Sequence, residues 1–396
     1  MNKFTKITTL LLVCLMVTGY LFANAVCFPS LPSMQRHFLA PTLTVQSIIL
    51  IFTFGLGISQ LFYGPLTEFY GRRNVVLLGT LIFIAGGILT LFPLSIHALI
   101  VARLIQGSGA GCYSVVGKAI THDIFKDKFY VNATVLVMIF SVLTQMLSPT
   151  IGGYLNSAYS WHANFTAVLI YSSIIFVLIY FFLPETQISN TYANLKQVLN
   201  NYRLILVGPR FWWLLLISAL TLGTISIYQI VSPFILQDTM HISSVAYGWS
   251  LLCSSSGFLI GNLMLIFLNR GNSLIQNIMI GLIFMLLGAV LMLSLQNHVA
   301  PIAIILPALI FNIGTGIVFP LSTAGALLEY QSMPGSAGAI IGSLQMLLMA
   351  LIGLFAGYIH ILNQGSLGWM LLIITAACAL LHLIASNVFV IKQAAT

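Results

Sequence analysis

Acidic residues are almost missing from this chain. Six carboxylates (Glu68, Asp123, Asp127, Glu185, Asp238 and Glu329) serve 396 residues, and charged residues of both signs make up only 5%. A water-soluble domain carries about 25%, so no soluble fold of this length could cover its surface. The scarcity removes function classes as well. There is no HExxH pattern, and six scattered acids with no soluble domain leave a membrane-embedded enzyme without a nucleophile, metal cluster or acid pair. The five cysteines (Cys14, Cys27, Cys112, Cys253 and Cys378) lie in apolar runs without CxxC spacing and read as small buried hydrophobes. No basic-aromatic platform exists to turn the net charge of +8 toward nucleic acid.

What is present is hydrophobic: 59% of residues, with a mean hydropathy of +1.06. A spanning helix needs about 20 apolar residues. Twelve such runs occur, at roughly 7–28, 44–63, 74–92, 98–119, 132–156, 164–183, 211–235, 246–268, 275–295, 301–322, 336–361 and 368–391. The first follows Lys3 and Lys6, exceeds a signal-peptide core and reads as an uncleaved span. Connections are short, except for a loop before the second span and the stretch from Pro184 to Arg210.

Charge sets the orientation. Lys3, Lys6, Arg72, Arg73, Lys126, Lys128, Lys196, Arg203, Arg210, Arg270 and Lys392 gather at one set of ends, against Arg36 alone at the other. Both termini are therefore expected in the cytoplasm. Arg103 and Lys118 fall within the fourth span, Lys118 near its inner end. Histidines show the opposite bias: His37, His97, His162, His241, His298 and His360 sit in or near outward ends, His122 faces inward and His382 lies within the last span. Neutral imidazole escapes the rule that removes Lys and Arg outside, though a pH sensor is the alternative.

Between Thr191 and Leu206, Tyr192, Leu195, Leu199, Tyr202 and Leu206 recur at helical spacing with Lys196 and Arg203 among them, the pattern of an amphipathic helix on the inner membrane surface. It divides two sets of six spans that echo each other. Pro29 and Pro233 are 204 residues apart, and so are Gly153-Tyr154 and Gly357-Tyr358. Two halves with a site between them is the plan of alternating-access transporters.

Ordered motifs then carry a resemblance. "GPLTEFYGRR" (64–73) is similar to the signature Gly-x-Leu-x-Asp-x-x-Gly-Arg-Arg/Lys between the second and third spans of the major facilitator superfamily. "LIVARLIQGSGAG" (99–111) is similar to its fourth-span Arg-x-x-x-Gly, and "SPTIGGY" (148–154) to the fifth-span Pro-x-x-Gly-Gly of antiporters. "FPSLP", "HDIF", "SWHANF", "LPET", "SPFIL" and "MPGSAGAIIGSLQ" resemble the bicyclomycin and chloramphenicol resistance branch (Bcr/CflA type). The sequence departs twice: Glu68 stands where the signature has Asp, and Ala25, after Asn24, stands where the branch often has an acid.

The resemblance implies an all-α membrane protein with twelve transmembrane helices in two pseudo-symmetric six-helix bundles: residues 1–183, a linker with an amphipathic helix at 184–210, and 211–396. It implies a proton-coupled exporter of drugs or metabolites, by alternating access, in a bacterial inner membrane. An anionic metabolite such as a citrate-type siderophore is the alternative cargo, its direction open. No cofactor is expected beyond the proton gradient, no metal, and a monomer. Gating falls to Gly64, Glu68, Gly71, Arg72 and Arg73, with Glu68 meeting the N-terminus of the eleventh span near Ser336 when the inner side is closed. Pro65 shapes the turn between the second and third spans. Pro149, Gly152 and Gly153 would bend the fifth span and let another helix approach.

Every acid is expected at a helix end or in a loop, so a buried carboxylate exchanging a proton for a cationic drug has no candidate. The interior does hold Arg103, roughly 7 Å into its helix. A cation there costs about 2.5–3.5 kcal/mol on insertion scales and reads as functional by default. Gln106, Ala110, Tyr113 and Gly117 follow on the same face, which is expected to line the cavity. Asn24, Gln60, Gln145, Tyr228, Gln229, Asn312 and Gln345 are further polar candidates, each able instead to bond a neighbouring helix. A cavity with a cation and no anion favours neutral or anionic substrates. Glu68, Asp123 and His382 are the candidates for a proton site.

Overall fold

The computed structural model describes residues 3–125, 127–187, 195–330, 333–359, 361 and 363–394. Among the described residues every regular element is helical. In chain order they are α1 (Lys3–Ala25), a 3₁₀ turn (Phe28–Ser30), α2 (Leu31–Phe38), α3 (Thr42–Tyr70), α4 (Arg72–Leu89), α5 (Ile96–Ile124), α6 (Asp127–Ala158) and α7 (Trp161–Phe182). There follow α8 (Leu195–Val207), α9 (Pro209–Pro233), a π turn (Phe234–Thr239), α10 (Ser244–Leu268), α11 (Leu274–Ser294), α12 (Ile302–Leu328), α13 (Pro334–Tyr358) and α14 (Gln364–Ala394). Twelve of these segments are long and apolar enough to cross a membrane. The two short helices, α2 and α8, are additions to that count.

The spans form two bundles. In the first, α5 packs on α1, α3 and α4, and α7 covers α1 and α4. In the second, α12 packs on α9, α10 and α11, and α14 covers α9 and α11. The bundles meet along two seams, α3 against α13 and α6 against α10. Apolar side chains exposed on the flanks, such as Phe181, Phe267 and Trp369, face outward as lipid-solvated residues do.

Three local expectations are corrected. The loop expected before the second span contains α2, begun by Leu31-Pro32 and closed by Leu39 in the left-handed region. The first span stops at Ala25, before Pro29, which lies in the 3₁₀ turn. Pro65 does not shape a turn: α3 runs through it to Tyr70. Proline removes the N–H that would bond the carbonyl four residues back, here that of Leu61. The Tyr202 hydroxyl of α8 donates to that carbonyl at 3.3 Å. Pro307 is treated alike, since the Gln364 amide donates to the carbonyl of Ala303 at 2.9 Å. Of the predicted amphipathic segment, α8 covers the C-terminal part, and residues 191–194 lie outside the described residues.

Candidate functional site: the space between the bundles

The two ends of the molecule differ. The basic end carries the helix termini beside Arg72, Arg73, Arg203, Arg210 and Arg270; the far end carries Arg36 and α2. At the far end the bundles are bonded together. Arg36 pairs with Asp238 at 2.8 Å. The Gln237 amide donates to the carbonyl of Pro29 at 3.0 Å. Asn156 of α6 accepts from Ser33 at 3.0 Å and donates to Ser244 of α10 at 2.9 Å. Thr150 donates to the carbonyl of Gly248 at 3.1 Å, and Gln46 to that of Ile230 at 3.1 Å. A side chain on Gly152 would strike the carbonyl of Val26 in its own bundle, and one on Gly153 the carbonyl of Ser244 across the seam. Among the described residues, the direct hydrogen bonds between the bundles all lie in this half of the molecule.

The basic end is organised within the first bundle. Gly71 (φ 82°) is the whole junction between α3 and α4. It brings Arg72 and Arg73 to the first turn of α4, where their backbone N–H groups donate to Glu185 at 2.9 and 3.1 Å. Glu185 thus occupies the positive end of the helix, and its carboxylate fills the space a side chain on Gly71 would need. The Arg72 guanidinium bonds Asp123 at 3.2 Å and the Thr67 hydroxyl. Arg73 donates to the carbonyl of Tyr180 at 2.6 Å. Glu68 has no ion-pair or side-chain hydrogen-bond partner among the described residues; Gln187 holds only its backbone carbonyl, at 3.0 Å. The expected contact with the α13 terminus is not made here. The nearby Tyr202 phenol is pushed up to about 12, first by burial and then by the negative charge of Glu68, so it remains a hydrogen-bond donor.

A small cleft, about 80 Å³, lies between α6 and the second bundle. Gln145, Met146, Tyr228, Gln229, Asn312 and Phe319 are among its walls, and no wall residue is charged. The Tyr228 hydroxyl is buried without a hydrogen-bond partner. The Asn312 amide donates to the carbonyl of Ser254 at 3.0 Å, and its oxygen accepts from the Thr315 hydroxyl at 3.4 Å. The arrangement suits a molecule with an apolar body and a few hydroxyl, carbonyl or amide groups.

Arg103 is elsewhere, contrary to the expectation that it lines the cavity. It is fully buried inside the first bundle. Its Nε donates to the carbonyl of Ile48 at 3.3 Å, and its Nη1 to that of Ala23 at 3.2 Å and to Gln106 at 2.7 Å. The guanidinium lies 4.1 Å from the Phe52 ring centre. One cation thereby ties α1, α3 and α5 together. Tyr113 is also fully buried, 5.7 Å from Phe83 ring to ring, and Asn24 sits beside Ala23 with its side-chain oxygen unpartnered. Gln345 bonds Ser218 at 2.8 Å and Thr323 at 2.9 Å inside the second bundle, and Gln60 lies against Gly342 on the α3–α13 seam. His382 is buried between α14 and α11, 3.0 Å from the carbonyl of Ile275, away from the cleft. Glu185 was missed as a site residue. Its "LPET" motif was visible, but nothing in the sequence places it at the start of α4.

The family signature of the Major Facilitator Superfamily matches residues 13–357. The chain belongs to that superfamily. Multidrug resistance protein D of Escherichia coli strain K12 is 25% identical over 374 residues, 94% of each chain. The chloramphenicol resistance protein CraA of Acinetobacter baumannii is 27% identical over 286 residues, covering 72% of this chain and 69% of the relative. The likeness to the drug-resistance branch read from the motifs therefore holds. Among solved structures, the xylose transporter XylE from E. coli, in a partially occluded inward-open conformation, superposes with a TM-score of 0.76 at 14% identity, covering 95% of this chain and 96% of that one. At that identity the likeness speaks for the fold.

Proposed function

We propose that this superfamily member exports small amphiphilic compounds from the cytoplasm by alternating access, coupled to protons, in a bacterial inner membrane with both termini cytoplasmic. The charge bias supports that orientation, which makes the basic end the cytoplasmic one. The observation that carries the reading is an uncharged, amide- and aromatic-lined cleft between two bundles joined at the far end, in a chain whose relatives are named for drug and chloramphenicol resistance. Residues 1–183 and 211–396 are the two rocking bodies, 184–210 the linker, and the working unit a monomer. Tyr228, Gln229, Asn312 and Gln145 contact the substrate. Arg103, with Gln106, Tyr113 and Asn24, acts through the position of α1. The resident chemistry needs no cofactor.

Glu68 is a latch that finds its partner only when the cytoplasmic side closes, which fits its lack of a partner here. Because the cleft is neutral, neutral compounds are the leading cargo. Chloramphenicol uptake into everted vesicles, with and without an imposed pH gradient, tests the reading. Accumulation that needs the gradient and drops at least fivefold in Tyr228→Phe with Asn312→Ala supports it. Equal accumulation without the gradient removes proton coupling, and no uptake at all removes the drug.

A further inference from the structure

Lys118 is the second cation within α5. It lies six residues before the end of α5, roughly 9 Å of helix rise from the basic end, within a membrane-spanning segment. Its residue surface is exposed. The α3–α13 and α6–α10 seams flank the α1 and α3 side of α5, so that side is turned toward the second bundle and is not a lipid-facing flank. The neighbours on α5 give the direction. Gly117 abuts Val13 and Val17 of α1, and Val115 lies beside Gly64 of α3. Lys118 follows both and emerges between α1 and α3, away from α4. The exposed His122 is one turn further toward the basic end.

Among the described residues no acid pairs with it. The ion pairs among them are Arg36 with Asp238, Arg72 with Asp123, and Arg210 with Glu329. Asp123 is further held by the Thr186 hydroxyl. Glu68 belongs to the α3 face turned toward Tyr202 and α8. An ionisable group inside a span that has no protein partner is a binding-site candidate, and its missing partner has the opposite charge.

We propose that Lys118 captures the anionic head of an amphiphile, a carboxylate or sulfonate on an apolar body, and so adds singly charged anions to the cargo. This rests on the export reading above. A lysine suits the role: a compact charge with three rotatable donors on a flexible stem follows a moving headgroup, where an arginine fork would fix it.

The test uses two nearly isosteric probes, 1-naphthaleneacetate and 1-naphthaleneacetamide, in equilibrium dialysis against the purified full-length protein in lipid nanodiscs. The expected result is roughly tenfold tighter binding of the acid, weakened by raised salt. Lys118→Gln should abolish that preference and leave amide affinity unchanged, which also reports an intact fold; Lys118→Arg should retain it. Equal binding of the two probes by the unaltered protein, no binding of either, or a preference surviving in Lys118→Gln overturns the proposal. Chloramphenicol uptake by everted vesicles separates the two readings. If it fails while the acid preference depends on Lys118, neutral-drug export falls and the anion site stands. If it succeeds while Lys118→Gln changes nothing, the reverse holds.

Discussion

At the residue scale, the polar side chains divide between those that hold the protein together and those free to meet something else. Arg103 belongs to the first group: three hydrogen bonds and an aromatic face compensate its burial. Arg103→Lys cannot reach two carbonyls and an amide at once. It is expected to lower stability by about 2 kcal/mol, read as a lower thermal midpoint in detergent. Lys118→Gln is expected to leave the midpoint unmoved. Glu185 also belongs to the first group. Glu185→Ala leaves two N–H groups at the start of α4 without an acceptor, and a loss of about 1–2 kcal/mol is expected; Glu185→Gln, which keeps an oxygen, should recover part of it in the same melting assay. The sequence could not sort these residues. Arg103 and Lys118 lie on one helix within a few turns of each other. What separates them is the set of neighbouring helices, which put the carbonyls of Ala23 and Ile48 around one and leave the other exposed. Glu185 is more than a hundred residues from the amides it caps.

At the element scale, two adjacent glycines serve different bodies. Gly152 lets α6 approach the end of α1, within one bundle, and Gly153 lets it approach α10, across the seam. Gly152→Val is therefore expected to reduce folded yield. Gly153→Val should fold and insert but hold the far end apart. In a background without native thiols, a single cysteine at Gln229 would then react faster with an impermeant maleimide added from the outer side; unchanged labelling would count against this division. The twelve spans were legible because lipid demands a long apolar run for each, a signal stronger than any propensity. Helix α2 was not. Its eight residues are too few and too mixed to register, and it is held by its position between the bundles. Nor was the continuity of α3 through Pro65 legible, because it depends on a hydroxyl supplied by Tyr202, far along the chain. Tyr202→Phe is expected to loosen α8 from α3, which faster proteolysis between residues 184 and 210 in everted vesicles would register.

At the scale of the whole molecule, closure at the far end rests on many weak bonds. The Arg36–Asp238 pair is exposed, 67% and 36% at the two side chains, and worth less than about 1 kcal/mol. Asn156, braced by Ser33 of its own bundle, makes one cross-seam bond, to Ser244, and that bond is less exposed than the Arg36–Asp238 pair. Asn156→Ala should open the outer side more than Arg36→Ala, measured by the same maleimide reaction at position 229. A seam of this kind lets go one bond at a time, as a transporter that reopens every cycle requires. The helix-end placement of all six carboxylates has a consequence in electrical work. Moving one elementary charge through a membrane potential is worth about 2.3 kcal/mol per 100 mV. With the cell interior negative, the field expels a monovalent anion and by itself supports a gradient of about fiftyfold at that voltage. A neutral drug gains nothing from the field unless a proton crosses in exchange. For the anionic cargo of Lys118 a carboxylate buried in the bilayer is therefore unnecessary: the membrane potential is motor enough. A valinomycin-imposed potential at equal pH on both sides should then drive naphthaleneacetate through the reconstituted protein and leave chloramphenicol where it started.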